Sequence, residues 1–254
     1  MPHLIDGIYM VGRGSWHGMP AYSFGTSSNA YLINGGSELA LVDVGFPQAV
    51  PDLFRNAEAH GFDLRRVKKV FLSHAHSDHA AGVAEFVRQT GARVYGHALT
   101  KETLADGPGI YREFLPMDHV PGPVHEVIRE GDKVPVGELT LEVLELPGHT
   151  PDGVGFKFAS ASGLCCFTGD ALSGDQPCRK GVTGWMDCHW GSKVSHLQKT
   201  LERIRALELH AFFGGHGDAH TRPETVQSSV KNALTLVNHL LTMPDLDWLI
   251  AIDI

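Results

Sequence analysis

The sequence is poor in cysteine, in basic charge and in long apolar runs, and each shortage removes a class of protein. Four cysteines in 254 residues (Cys165, Cys166, Cys178, Cys188) with no CxxC spacing leave no disulfide framework to read. Cys165 and Cys166 are adjacent in an apolar run, where strand side chains point to opposite faces, so the thiols are expected to be reduced, as in a cytoplasmic protein. Lys and Arg number 21 against 29 Asp and Glu, a formal net charge of −8. Such a surface does not track phosphates, so nucleic acid is not an expected partner. No stretch approaches 18 uninterrupted apolar residues, and MPHLIDGIYMVGRGSW lacks a basic segment followed by an apolar one. Neither membrane insertion nor export is expected, and the expected location is the cytoplasm.

What the chain has in quantity is apolar residues, 43%, and histidine, 16 in all. The first supplies a full core for a single domain spanning 1–254. The second matters because imidazole is the commonest side-chain metal ligand near neutral pH. No repeat or Pro/Ser-rich linker is present, so organisation is read from apolar runs and turn signals. GIYMVG, NAYLING and ELALVDVG read as short strands. A helix is predicted from about Pro47 to His60, then a strand in VKKVFLS, a helix from Ala80 to Thr90 and a strand in ARVYGH. After helix-like pieces and the Pro/Gly-rich DHVPGP come strand signals in HEVIRE, ELTLEVLEL, GVGFKFAS and GLCCFTG. The last third predicts a helix from Lys193 to Leu207, a strand in HAFFGG and a helix from Pro223 to Leu241. Two strand-rich halves, each flanked by helices, point to an α/β fold of four layers, an αββα sandwich.

One segment carries chemistry. HAHSDH puts His74, His76, Asp78 and His79 where a strand ends and a helix begins, the crevice at which open α/β sheets place ligands. His74 and His76, two apart, face the same way and can hold one ion, while Asp78 and His79 face a second position. Three imidazoles and a carboxylate within six residues have no structural benefit without a metal, because desolvating them unpaired is costly. Each half-site needs further ligands. Three candidates follow strands directly: His149 in LPGHTP, Asp170 in FTGD and His216 in GGHGD. Neighbouring glycines permit tight turns, and a carboxylate such as Asp170 can bridge two cations and offset their repulsion.

HAHSDH, PGHT, TGD and GHG, in that order, resemble the metallo-β-lactamase superfamily over nearly the whole chain. The resemblance implies the αββα fold and two divalent cations, zinc first, with manganese or iron as alternatives. It implies that His74, His76 and His149 hold the first metal, Asp78, His79 and His216 the second, and Asp170 both. Asp43 in LVDVG resembles the family's acidic residue that orients the site from behind its ligands. Histidine at position 76, where flavodiiron oxygen reductases of the superfamily carry an acidic residue, favours hydrolysis over redox chemistry. The implied nucleophile is a metal-activated hydroxide, with Asp78 as the catalytic residue that orients it and accepts its proton.

Superfamily members cleave thioesters, lactones, β-lactams, phosphodiesters and sulfate esters, so the site does not choose the bond. A small-molecule ester, lactone or thioester is the expected substrate. The ligand set with Asp170 is similar to that of glyoxalase II, the thioesterase that cleaves hydroxyacylglutathione. The long stretch between His79 and His149 is more like the lactonases, and the 38 residues after His216 leave little room for glyoxalase II's C-terminal helical region. The alternatives are a β-lactamase-type amide hydrolase, a mononuclear iron enzyme resembling persulfide dioxygenase, and a non-catalytic metal-binding regulator. Tyr111 and Trp185, in the two long excursions, are candidates for substrate contact, as are His119, His189 and His220. Each also reads simply as a loop anchor or a solvated side chain, and the remaining histidines read as surface or core residues.

Overall fold

Alternation along the strands decides the architecture. In the computed structural model, which describes residues 3–14, 27–106, 121–175, 180–184 and 190–243, strand β4 (Leu39–Val42) is buried at every position because its two faces serve two cores. Leu39 and Leu41 join Val67 and Val70 of β5 (Val67–Phe71) beneath α1 (Val50–Glu58) and α3 (Val83–Thr90), which contribute Leu53 and Phe86. Ala40, Val42 and Phe71 face the other way and meet Val143, Phe156, Phe167 and Phe213 of a second sheet. The outer face of that sheet, with Leu144, Cys166 and Phe212, is covered by Leu197 and Leu201 of α5 (Val194–Ala206) and Val230 and Val237 of α6 (Pro223–Leu241). Three apolar layers separate four structural ones, which is the αββα sandwich.

The first sheet runs in order from β1 (His3–Ile5), β2 (Ile8–Gly12) and β3 (Ala30–Asn34) through β4 and β5 to β6 (Arg93–Gly96) and β7 (Glu126–Val127). Neighbours are antiparallel as far as β4 and parallel beyond it. In the second sheet β8 (Lys133–Val136), β9 (Leu139–Glu145), β10 (Val154–Ser160) and β11 (Gly163–Gly169) form an antiparallel meander, and β12 (Ala211–Gly214) joins β11 in parallel. Strands β9, β11 and β12 therefore share one direction, and the loops leaving their C-terminal ends open at a common edge.

Several elements differ from the sequence reading. The helix expected from Pro47 opens with a 3₁₀ turn, Pro47–Ala49, ahead of α1. The helix expected from Ala80 is two: the single turn α2 (Ser77–Ala80), bearing Asp78 and His79, and α3. They part at Gly82, where a Cβ would sit 2.9 Å from Gly45 O and 3.0 Å from Phe46 O. HEVIRE shrinks to a two-residue strand, and β8 was not anticipated, because it is only four residues long and its proline, tolerated on an edge strand, reads as a turn signal. Helix α4 (Ala98–Asp106) accounts for the start of the mixed region. Tyr111, His119, Trp185 and His189 lie outside the described residues, as do Cys178 and Cys188. Cys165 faces the inter-sheet core and Cys166 the outer one, and burial pushes the Cys166 thiol up to about 12, which leaves it unreactive. Among the described residues no helix is long and apolar enough to cross a membrane.

Phe167 lies 5.0 Å from Phe213, 5.4 Å from Phe158 and 5.5 Å from Tyr31, ring to ring, at the centre of the inter-sheet core. Phe167→Ala is expected to lower stability by about 3–5 kcal/mol in urea titrations. A loss below about 1 kcal/mol would contradict this packing.

Candidate metal centre

Loops from both sheets deliver the seven candidate ligands to one buried point. After β5 the chain passes through His74, and His76 has extended backbone at the start of α2, so the next helical turn carries Asp78 and His79. His149 follows β9, Asp170 follows β11 and His216 follows β12. All seven side chains are buried.

In the first half, His74 Nε2, His76 Nδ1 and His149 Nε2 stand 3.1, 3.2 and 2.9 Å from one another. Nitrogens bound about 2.0–2.1 Å from one tetrahedral ion would be about 3.4 Å apart. Ser73 explains the facing of one of them. Its hydroxyl donates to Asp43 Oδ2 at 2.7 Å and so accepts from His74 Nδ1 at 2.9 Å, leaving the His74 Nε2 lone pair turned inward.

In the second half, Asp78 Oδ2 is 3.2 Å from His216 Nε2 and 3.8 Å from His79 Nε2. Asp170 spans the two halves: Oδ1 is 3.4 Å from His79 Nε2, and Oδ2 is 3.3 Å from His216 Nε2 and 3.7 Å from His149 Nε2. His79 donates from Nδ1 to Asp43 Oδ2 at 2.8 Å, which aims its Nε2 at the site. That Nε2 and Asp170 Oδ1 are both buried without a hydrogen bond, a cost of about 1–3 kcal/mol each unless something else satisfies them. Five imidazoles and two carboxylates grouped in this way fit two divalent cations.

Burial and charge set the two halves apart. Burial, then the imidazoles of His79, His76 and His149, push His74 well below its ordinary value, so it is neutral, as a metal ligand must be. Burial opposes the charged forms of Asp78, Asp170, His79 and His216, but their mutual attraction wins. Asp170 is held well below the carboxylate range by His216 and His79, and Asp78 is lowered by the same pair. His79 is raised well above its usual value by Asp170, Asp78 and Asp43, and His216 is raised to about 9 by Asp170 and Asp78.

Sequence reasoning missed the residues that hold the loops together. The Asn29 amide shares its two N–H groups among Tyr31 Oη, Gly214 O and Gly217 O, each at 3.0 Å, and Tyr31 Oη donates to Gly214 O at 2.7 Å. The backbone beside them bonds Ser28 N–H to Asp78 O and Asn29 N–H to Gly215 O. A Cβ at Gly215 would stand 2.0 Å from Asp170 Oδ1, so only glycine passes there. Asp43, the residue expected to orient the site, bonds Ser73 and His79 from a left-handed backbone with φ of 55°, which aspartate tolerates. Asp152, fully buried and bonded by Thr100 Oγ1 at 2.6 Å, ties α4 to the His149 loop. Nothing in the local pattern distinguished Asn29, Tyr31 or Asp152 from ordinary polar residues. His220 is buried near this edge but belongs to none of the ligand groups.

Residues 24–216 match the sequence model of the metallo-beta-lactamase superfamily, a span that contains all seven candidates. The chain belongs to the metallo-beta-lactamase superfamily. It is similar to a hydroxyacylglutathione hydrolase of Cereibacter sphaeroides, 37% identical over 145 residues that cover 56% of this chain and 47% of that protein. Another hydroxyacylglutathione hydrolase, from Bradyrhizobium sp., is 34% identical over 207 residues, 81% of this chain and 66% of its own length. The chain thus spans about half to two thirds of the length of these relatives. Among solved structures, the Rm3 metallo-beta-lactamase has a TM-score of 0.73 at 23% identity, covering 94% of this chain and 92% of that one. A subclass B3 metallo-beta-lactamase of Bradyrhizobium japonicum has a TM-score of 0.71 at 22% identity, with coverage of 94% and 92%. At these identities the likeness establishes the superfamily's fold and no more.

Two measurements follow from this geometry. Asp43→Asn removes an acceptor shared by His79 and Ser73 and is expected to weaken metal binding by about 10–100-fold in chelator competition; unchanged affinity would deny Asp43 its orienting part. In chelator-treated protein, the His216 contribution to stability is present below its unfolded value of 6.5 and lost as pH rises through about 9. The contributions of Asp78 and Asp170 are present above 3.8 and lost on acidification. The urea midpoint of that protein should therefore fall between pH 6.5 and 9, and a rise over that interval would contradict the assigned ion pairs.

Proposed function

We propose that this superfamily member is a dinuclear metal-dependent hydrolase of a small thioester, ester or lactone, with a thioester as the first choice. The observation that carries this reading is the buried cluster of seven donors with Asp170 between its halves. His74, His76 and His149 would hold one divalent cation, Asp78, His79 and His216 the other, and Asp170 both. Zinc suits this imidazole and carboxylate set, and manganese or iron are the alternatives. When bound, such cations supply Lewis acidity and bring the pKa of a water down to about 7.

The chain's own groups do the rest. Asp43 and Ser73 hold the Nδ1 protons of His79 and His74, so that both rings present Nε2. Asp78 acts as the catalytic residue that orients the attacking water and accepts its proton, and His79 and His216 keep its carboxylate ionised against burial. A thiolate, whose conjugate acid has a pKa of about 8.5, leaves without a proton donor, whereas an amine must be protonated. The relatives named hydroxyacylglutathione hydrolase support the same preference. Residues 1–254 are taken as one catalytic domain, since both sheets supply ligands, and the net charge of −8 fits a small-molecule substrate better than a polyanion.

Metal quantification on purified protein, coupled to a panel of glutathione thioesters, lactones and esters, tests the proposal. Two ions per chain and turnover of a thioester are expected, with His76→Ala and Asp170→Ala losing metal and about 100-fold or more of the activity while the fold persists. One iron per chain with oxygen uptake would replace hydrolysis by the dioxygenase reading, and full activity in either variant would end the metal-centre proposal.

A further inference from the structure

After Asp170 the chain leaves the metal centre and comes back to it, and two limbs of this excursion, 173–175 and 180–184, are described. Ser173 N–H bonds Val182 O at 2.6 Å and Gly184 N–H bonds Asp170 O at 2.7 Å, which joins the limbs and returns the chain to its starting point. The limbs are laid on the loop after β12 by Gly174 N–H to His216 O at 2.9 Å and Asp218 N–H to Asp175 O at 3.0 Å. The docking is close. A Cβ at Gly174 would stand 1.7 Å from Asp218 O, and one at Gly181 would stand 2.1 Å from Ser229 O on α6. At the far end Gly184 lies against two ligand residues, where a Cβ would be 2.4 Å from His149 Nδ1 and 2.8 Å from Asp170 Cβ.

One imidazole pins this strap. Asp175 N–H donates to His220 Nε2 at 3.1 Å, and Asp175 Oδ1 accepts from Gly181 N–H at 3.1 Å and from Ser229 Oγ at 3.5 Å. Asp175 thereby binds both limbs to each other and to α6. The His220 ring is itself held in place: it is 7% exposed and stacks on Phe212 with centroids 4.9 Å apart and planes 11° apart. Its backbone pairs with Phe212 in both directions. A ring nitrogen that accepts an amide proton is unprotonated, so His220 is neutral here with its proton on Nδ1. Burial acts in the same direction, lowering the imidazole against the pull of Asp175 and Asp218, with Lys180 and Arg222 adding to the lowering.

We propose that His220 is a positioning residue: by accepting the Asp175 amide proton it holds the strap that sets Gly184 against His149 and Asp170, so metal affinity depends on an imidazole outside the ligand set. The inference deepens the metal-centre reading and rests on it for the affinity readout alone. A strap supported only from its own ends would transmit its motion to both ligand residues. The His220 and Ser229 contacts supply that support from β12 and α6, which belong to the rigid core.

The test uses the full chain and zinc alone as the probe, with His220→Ala, His220→Gln and Asp175→Ala. Hydrogen exchange over 180–184 and zinc affinity by competition with a chromophoric chelator are the readouts. His220→Ala is expected to speed exchange in that limb by about 5–10-fold and weaken zinc binding by about 10-fold, with cooperative unfolding retained. His220→Gln, whose Oε1 can accept where Nε2 did, should restore most of both. Asp175→Ala keeps the amide that His220 accepts and removes instead the Oδ1 bonds to Gly181 and Ser229, so it should loosen the same limb and, combined with His220→Ala, loosen it further. Wild-type exchange and zinc affinity in His220→Ala would overturn the proposal, as would a His220→Gln variant no better than alanine. If His220→Ala fails to fold, His220→Phe, which keeps the stack on Phe212 and offers no acceptor, decides by the same readouts. If the wild-type protein takes up no zinc, the metal-centre reading fails, and exchange over 180–184 alone decides whether His220 pins the strap.

Discussion

The carboxylate of Asp43 is the group on which the site's geometry depends. It accepts the Ser73 amide at Oδ1, 2.8 Å away, and both the Ser73 hydroxyl and His79 Nδ1 at Oδ2. Through these bonds it orients a candidate ligand in each half of the centre, His79 directly and His74 by way of Ser73. Holding a proton on Nδ1 leaves a lone pair on Nε2, and facing lone pairs repel unless a cation lies among them. Asp43 takes a left-handed backbone conformation to do this, directly after β4, with its own amide bonded to Phe71 O. The carboxylate is therefore fixed by the sheet and not by a mobile loop.

The sandwich then has the task of bringing four separated chain segments to that carboxylate. Parallel pairing of β4 with β5 sets Asp43 beside the start of the HAHSDH segment, and the common direction of β9, β11 and β12 sends His149, Asp170 and His216 to the same edge. The cost is a crowded interior in which backbone must pass within touching distance of the candidate ligands. Glycine at 215 and 184 meets that need, because any Cβ would collide with Asp170 or His149. Asn29, just before β3, and Tyr31 on it bond the end of β12 and the loop after it, so the two sheets are tied at the site as well as through the aromatic core beneath it.

The part of the candidate site within one short segment was legible because local spacing carried it. His74, His76, Asp78 and His79 need only a strand end and a helical turn to face inward, and both are local events. His149, Asp170 and His216 were legible for a related reason: each stands directly after an apolar strand, and strand direction decides where it emerges. The layer order was readable from helix and strand periods, whereas β8 was not, since four residues are too few to set an alternation apart and its proline reads as a turn signal. His220 shows the opposite case, a histidine whose sequence neighbours suggest a loop and whose burial comes from stacking on Phe212 and bonding Asp175.

The sequence by itself determined which side chains could bind a metal and the order in which strands would deliver them, because those properties follow from side-chain chemistry and from periods of two and 3.6 residues. Only the tertiary structure decided how the lone pairs are aimed and what keeps the loops still. Asn29 reaches Gly214 across 185 positions, Ser73 reaches Asp43 across 30 and His220 reaches Asp175 across 45. Contacts at such separations have no local signature; they exist only once β4 has paired with β5 and the two sheets have packed.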